Sequence, residues 1–217
     1  MLAKRVAATT ESLLDPLATL WRQAEEEVVD LIPTPAHLLN SEYIQAIWPD
    51  RDYGRVSEVR VRALHNGDSI FFRLEWQIDQ SAREISDIGI FTDGVGILWP
   101  IAGDAPITEM GTASQPVNPW LWRADLGDKP YSVTAVGRGT TQRNVDNPLM
   151  SKSRLEGGTW RVVMGRPFQV ENPHRRTMEL APGMTTKAGF AVWEGANKDR
   201  ASVKAYSPAW HELTIEE

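Results

Sequence analysis

Four histidines, His37, His65, His174 and His211, are where a metal or acid–base reading of this 217-residue chain would start. They are scattered and never paired at metal-ligand spacing. His65 falls in a turn between two alternating runs and is expected in solvent. His174 lies in a polar loop beside Arg175 and Arg176, and His37 and His211 read as surface or satisfied residues. Carboxylate pairs exist, such as Asp87 with Asp93 and Glu194 with Asp199, but any chain with 29 acidic residues offers such pairs. Glycoside hydrolysis needs two facing carboxyl groups at a defined separation, which a sequence does not display. The nucleophile elbow, the phosphate-binding loop and His-Glu-x-x-His are absent. The lack of cysteine removes disulfides, thiolate metal sites, cysteine-ligated iron–sulfur clusters and covalent c-type haem attachment. What stands out instead is nine tryptophans. They suit β-core packing, or a planar-ligand site such as a haem pocket or a sugar platform.

The elements that must position such a site have a period of two. Ile70, Phe72, Leu74 and Trp76 alternate with Phe71, Arg73 and Glu75, and Val59, Val61 and Ala63 alternate with Arg60 and Arg62. His65-Asn66-Gly67-Asp68 between them predicts a hairpin whose two turn positions take positive φ. A second hairpin is predicted around Glu156-Gly157-Gly158, with Trp160, Val162 and Met164 returning on one face. Further strands read at 26–32, 88–99, 131–137, 187–193 and 210–215, and a short helix around 35–47. The polar, proline-containing stretch 167–183 reads as an excursion between strands. Prolines and glycines punctuate at regular intervals, as in an antiparallel sandwich. The expectation is an all-β chain, an antiparallel β-sandwich with a few short helices, forming a single domain over 1–217.

Composition narrows the partners. The net charge of −6 argues against a nucleic acid, which would want a basic face. Lys4 and Arg5 are followed by no apolar stretch, so no secretory signal is expected, and no run reaches transmembrane length. On its own the sequence reads as soluble and not exported by its own signal.

Two segments are more specific. One is Glu109-Met110-Gly111 followed by Gln115-Pro116-Val117-Asn118-Pro119-Trp120-Leu121-Trp122-Arg123-Ala124-Asp125. The other is Lys187-Ala188-Gly189-Phe190-Ala191-Val192-Trp193-Glu194-Gly195-Ala196-Asn197, then Arg200 and Lys204-Ala205-Tyr206-Ser207. With Ala3-Lys4-Arg5-Val6, Leu13-Leu14-Asp15, Pro33-Thr34-Pro35, Ala63-Leu64-His65-Asn66-Gly67 and Asp93-Gly94-Val95-Gly96, they resemble the haem b-binding gamma subunit of ethylbenzene dehydrogenase. They are also similar to its relatives among the type II dimethyl sulfoxide reductase family of molybdoenzymes, steroid side-chain dehydrogenases included. The resemblance covers nearly the whole chain, and its strength lies in the order and spacing of motifs that are each weak alone.

That resemblance implies a non-catalytic, electron-transfer β-sandwich holding one haem b between a methionine and a lysine. Carried over, the methionine is Met110 and the lysine Lys204. Met178 and Met184, and Lys187 and Lys198, are the alternatives, while Met164 reads as core. Arg123 is a candidate for a haem propionate, with a surface role equally open. Asn118 and Trp120 are candidate cofactor contacts. Trp120 and Trp122 alternate along the strand and are expected on opposite faces, so that at most one lines the pocket. The implied partners are an iron–sulfur subunit, a catalytic molybdenum subunit that hydroxylates its substrate, and an external electron acceptor. The implied location is the periplasm, reached by co-export with the catalytic subunit. The main alternative is a tryptophan-rich module that binds a carbohydrate or another apolar ligand without haem; another is a structural subunit that has lost the cofactor.

Overall fold

The computed structural model describes residues 1–39, 42–47, 52–85, 91–145, 148–171 and 176–217; Trp48, Asp87, His174 and Arg175 fall outside the described residues. Fourteen strands run through the described part. They are β1 (Leu2–Arg5), β2 (Glu27–Asp30), β3 (Ile32–Pro33), β4 (Glu58–His65), β5 (Ser69–Gln77), β6 (Gly94–Pro100) and β7 (Val117–Arg123), then β8 (Tyr131–Thr134), β9 (Gln142–Asn144), β10 (Met150–Glu156), β11 (Thr159–Pro167), β12 (Thr185–Trp193), β13 (Ala205–Tyr206) and β14 (His211–Ile215). Helices are short: α1 (Thr10–Leu14), α2 (Glu42–Ile47) and a few single 3-10 turns.

The strand path is β10-β11-β5-β4-β1-β14-β12-β6-β7-β8-β9. Strand β12 belongs to both halves of it. Thr185–Ala188 pair with β14, and Gly189–Trp193 pair with β6. The sheet folds back on itself at this point, and its halves face each other across one apolar core. Phe72 on β5 lies 5.2 Å from Trp99 on β6 and 6.2 Å from Trp120 on β7. Trp160 on β11 lies 4.9 Å from Trp122 on β7. These tilted and edge-to-face contacts put the negative face of one ring against the positive edge of another, a gain beyond the area they bury. The fold is thus the all-β sandwich that the alternation predicts. One pairing differs: β1 runs parallel to both β4 and β14. It is joined to neither by a hairpin, and only hairpin partners are obliged to be antiparallel.

Both expected hairpins form, by different means. Gly157 and Gly158 each take positive φ, the requirement of a tight two-residue turn. In the other hairpin only Gly67 does so. The Asn66 side chain instead accepts the N–H groups of Asp68 and Ser69, at 3.1 and 2.9 Å. His65 is fully buried rather than solvated. It ends β4 rather than sitting in the turn, and Phe168 packs edge-on to its ring at 5.6 Å. The expected strand at 88–99 begins only at Gly94, with 88–90 outside the described residues, and the expected helix at 35–47 is a 3-10 turn and α2.

Candidate functional site

Alternation decides which residues reach the site. On β6, Val95, Ile97 and Trp99 are buried in the inter-sheet core, which turns Gly94, Gly96 and Leu98 to the opposite face. On β7, Trp120 and Trp122 enter that core while Pro119, Leu121 and Arg123 turn away from it. Trp120 and Trp122 therefore share a face, contrary to expectation: residues two apart on a strand point the same way, and Leu121 is the residue that alternates with them. On the outer face, β6, β7 and β12, with β8 on one side and β13 paired beside β12 on the other, line with the adjoining loops a cavity of about 450 Å³. That volume lies within the usual range for small-molecule and cofactor sites.

Met110 and Lys204, 94 residues apart, both line this cavity, and so does Arg123. Among the six methionines Met110 alone lines it, and among the lysines Lys204 alone. The alternatives lie elsewhere. Met164 and Met178 are core residues and Met184 packs against the core. Lys187 forms an ion pair with Asp104, and Lys198 is exposed. No histidine among the described residues lines the cavity; His211 instead meets Glu27 at 2.7 Å. Asn118 and Trp120 do not line it either. Asn118 is fully buried and ties β7 to β8 and to the segment at Met178: its amide donates to the Ser132 hydroxyl and the Val133 carbonyl, both at 2.7 Å, and its oxygen accepts from Trp120 Nε1 and the Met178 N–H.

Met110 occupies an unusual turn. Its φ is +56, a conformation that a side chain strains by about 1–2 kcal/mol. The turn persists because its surroundings over-determine it. The Met110 N–H donates to the Ile107 carbonyl, the Gly111 N–H to the Pro106 carbonyl, and the Gly137 N–H to the Met110 carbonyl, at 3.0–3.1 Å. Non-glycine strain of this kind concentrates at functional sites.

Lys204 opens into the cavity and is otherwise enclosed by protein. Burial pulls its ammonium down to a pKa of about 8, with no carboxylate opposing the shift. Its Nζ lies 5.4 Å from the centre of the Trp193 ring. An amine so placed gives up its proton at far less cost than an exposed lysine. A soft thioether and a readily neutralised amine on the wall of one largely apolar cavity are a donor set whose chemistry suits a haem iron.

Charge gathers elsewhere on the wall. Arg123 forms a forked pair with Asp125, at 3.0 and 2.7 Å, and Arg138 pairs with Glu109 at 3.1 Å. Arg200 lies 4.5 Å over the Phe91 ring. The Asp199 carboxyl, 1% exposed, is raised to about 6 by burial and is held by the N–H groups of Gly54 and Glu194. Sequence reasoning missed Arg138, Arg200, Asp199 and Trp193 as wall residues. Trp193 could have been found from the alternation of β12, since Val192 and Phe190 are its core-facing neighbours. The loop arginines carry no such pattern.

A family model described as ethylbenzene dehydrogenase matches residues 18–153. The chlorate reductase subunit gamma of Ideonella dechloratans is 30% identical over 206 residues, covering 91% of this chain and 78% of that protein. The dimethylsulfide dehydrogenase subunit gamma of Rhodovulum sulfidophilum is 29% identical over 205 residues, covering 90% and 73%. A Haloferax mediterranei protein assigned as the heme subunit of a respiratory nitrate reductase is 26% identical over 197 residues; the match covers 90% of this chain and 66% of that protein's length. Among solved structures, a Bacteroides uniformis protein assigned as carbohydrate-binding superposes with a TM-score of 0.61 at 14% identity, covering 100% of this chain and 98% of that one. A family 9 carbohydrate-binding module from Caldicellulosiruptor kristjanssonii gives 0.52 at 8% identity, covering 100% and 95%. At such identities the likeness is one of fold alone.

Proposed function

The chain belongs to the ethylbenzene dehydrogenase family, and from that premise we propose that it is a non-catalytic, electron-transfer subunit that holds one haem b between Met110 and Lys204. The observation that carries the reading is selective. Of all the methionines and lysines, the two that the family resemblance singles out are the two that line the cavity.

A bound haem b would supply reversible one-electron exchange. The chain's own residues make the rest. Met110 offers a neutral thioether, which favours the reduced metal. Lys204 sheds its proton and offers the amine. The apolar wall formed by Leu98, Pro119 and Leu121 excludes water. With Met110 and Lys204 both holding the iron, oxygen or a substrate would find no place on it, which is why the reading is electron transfer and not catalysis. Arg123 spends Nε and Nη2 on Asp125 and has further N–H donors to offer a propionate; Arg138, paired with Glu109, is a second candidate.

In this reading the chain docks on an iron–sulfur subunit, which contacts a catalytic molybdenum subunit. Electrons released by hydroxylation pass through the clusters to this chain and on to an external acceptor. The names of the gamma-subunit relatives support a multi-subunit oxidoreductase; the molybdenum centre, hydroxylation, the acceptor and the order of transfer rest on the resemblance in the two signature segments. Export of the folded complex on the catalytic subunit's signal would put the chain in the periplasm. Among the described residues no helix is long and apolar enough to cross a membrane.

Ligand variants test the proposal. Wild-type protein should show a six-coordinate, low-spin haem in both oxidation states. Met110→Ala should lower the reduction potential, because ferrous iron loses more than ferric iron when the soft ligand goes. Lys204→Ala should give a partly high-spin ferric haem that binds external ligands. Spectra and potentials that stay native in both variants would show that the ligands have been misassigned.

A further inference from the structure

Lys204 carries a long, flexible side chain whose amine is buried against the Trp193 ring, 5.4 Å from its centre. A metal ligand must be held in place, and the hydrogen bonds that fix Lys204 gather on its main chain. Three segments converge on that main chain. The Lys204 carbonyl accepts the Thr34 N–H at 2.9 Å and the Thr34 hydroxyl at 3.2 Å. Gly54 presses on the same carbonyl: its φ is +60, and a Cβ there would lie 2.8 Å from the Lys204 oxygen and 3.0 Å from the Pro33 Cα. The Gly54 N–H donates to Asp199 Oδ1 at 3.2 Å, while Asp199 Oδ2 accepts the Glu194 N–H at 3.2 Å. The Tyr53 hydroxyl closes the ring by donating to the Thr34 carbonyl at 2.7 Å. Strand β13, which follows at once, is only two residues long, and it is pinned between β12 and β3.

We propose that Thr34, Gly54 and Asp199 form a backbone latch that positions Lys204 so that its amine stays directed into the cavity. The inference rests on the reading that Lys204 is an iron ligand, and makes these three residues positioning residues for it. Thr34 holds the carbonyl from one side. Gly54 fits against it because any side chain would strike main-chain atoms, which cannot rotate away as a side-chain tip can. Asp199 draws the Gly54 segment down onto the turn at 194–199, so the latch spans three separate stretches of sequence.

The test compares ferric spectra of the haem-loaded full chain. Gly157 supplies the control, because its φ is +56 and nothing lies within 4 Å of an added Cβ. Gly157→Ala therefore carries the same backbone strain without touching Lys204. It should lose stability and keep the native low-spin spectrum. Gly54→Ala should show a mixed high-spin spectrum and bind cyanide at least tenfold more tightly than wild type. Thr34→Val should move the same way, and Thr34→Ser, which keeps both donors, should restore the native spectrum; these two also decide the matter if Gly54→Ala does not accumulate. A native spectrum in Gly54→Ala and Thr34→Val, alongside a shifted one in Lys204→Ala, overturns the latch alone. A spectrum unmoved by Lys204→Ala overturns the ligand assignment and the latch with it.

Discussion

At the scale of single residues, haem binding at Lys204 is governed by one proton. An amine binds iron only when neutral, and Lys204 has a pKa of about 8 in the protein without haem. Binding therefore releases one proton at any pH below that value and none well above it. The affinity advantage of wild type over Lys204→Ala should rise about tenfold per pH unit up to about pH 8 and then level off. Titrating haem into both proteins across pH 6–10 checks this, and a flat difference would mean that Lys204 keeps its proton in the complex. Residue roles were legible only through family resemblance. Nothing local marks Lys204, since its burial comes from segments far away in sequence, and the strain at Met110 is invisible until its turn is built. The error over Trp120 and Trp122 was different in kind. It was a miscount of a period that the sequence displays.

At the scale of elements, β6 shapes the cavity. Gly94 and Gly96 are two apart on its outer face, and without side chains they let Leu121 and Trp193 lie across the strand. A Cβ on Gly96 would meet Leu121 Cδ2 at 2.9 Å and the Trp193 ring at 3.5 Å. Both belong to side chains that line the cavity, and the Trp120 carbonyl, at 3.4 Å, is main chain that cannot rotate away. Gly96→Val should thus reduce haem occupancy severalfold while costing about 1–3 kcal/mol of stability. Measuring haem content beside a denaturation midpoint separates the two effects; full occupancy would show that the cavity floor is not limiting. The hairpins β4–β5 and β10–β11 were readable because their signals are local. The change of sheet within β12 and the parallel insertion of β1 were not, because both are decided by distant partners acting on ordinary alternating runs.

At the scale of the whole molecule, the two sheet halves are joined by aromatic contacts and by one buried carboxylate. Asp93 is fully buried and accepts from Trp160 Nε1 on β11, from the Ala82 N–H and from the Gly195 N–H, at 2.9–3.0 Å. Burial raises its carboxyl above the ordinary range, and the three donors pull it back. Asp93→Ala would leave three buried donors without an acceptor and should cost roughly 3–5 kcal/mol. Because the folded-state pKa is raised, the folded protein holds this proton to higher pH than the unfolded chain does. The Asp93 contribution should therefore decline as pH rises from the ordinary carboxylate range through the raised value, and Asp93→Asn should remove that slope. Unfolding curves from pH 3 to 7 would show it. Asp93 was noticed in the sequence as half of a possible catalytic pair and as the first residue of the Asp93-Gly94-Val95-Gly96 segment. Its three donors come from separate parts of the chain, so its structural role could not be read there.

The proposal that this sandwich carries a haem b held by Met110 and Lys204 predicts a coloured protein. Its most direct test is the optical spectrum of the chain purified from haem-sufficient cells, followed by the pyridine haemochrome assay. A Soret band, a b-type haemochrome and one low-spin haem per chain are expected. A colourless protein under those conditions would contradict it.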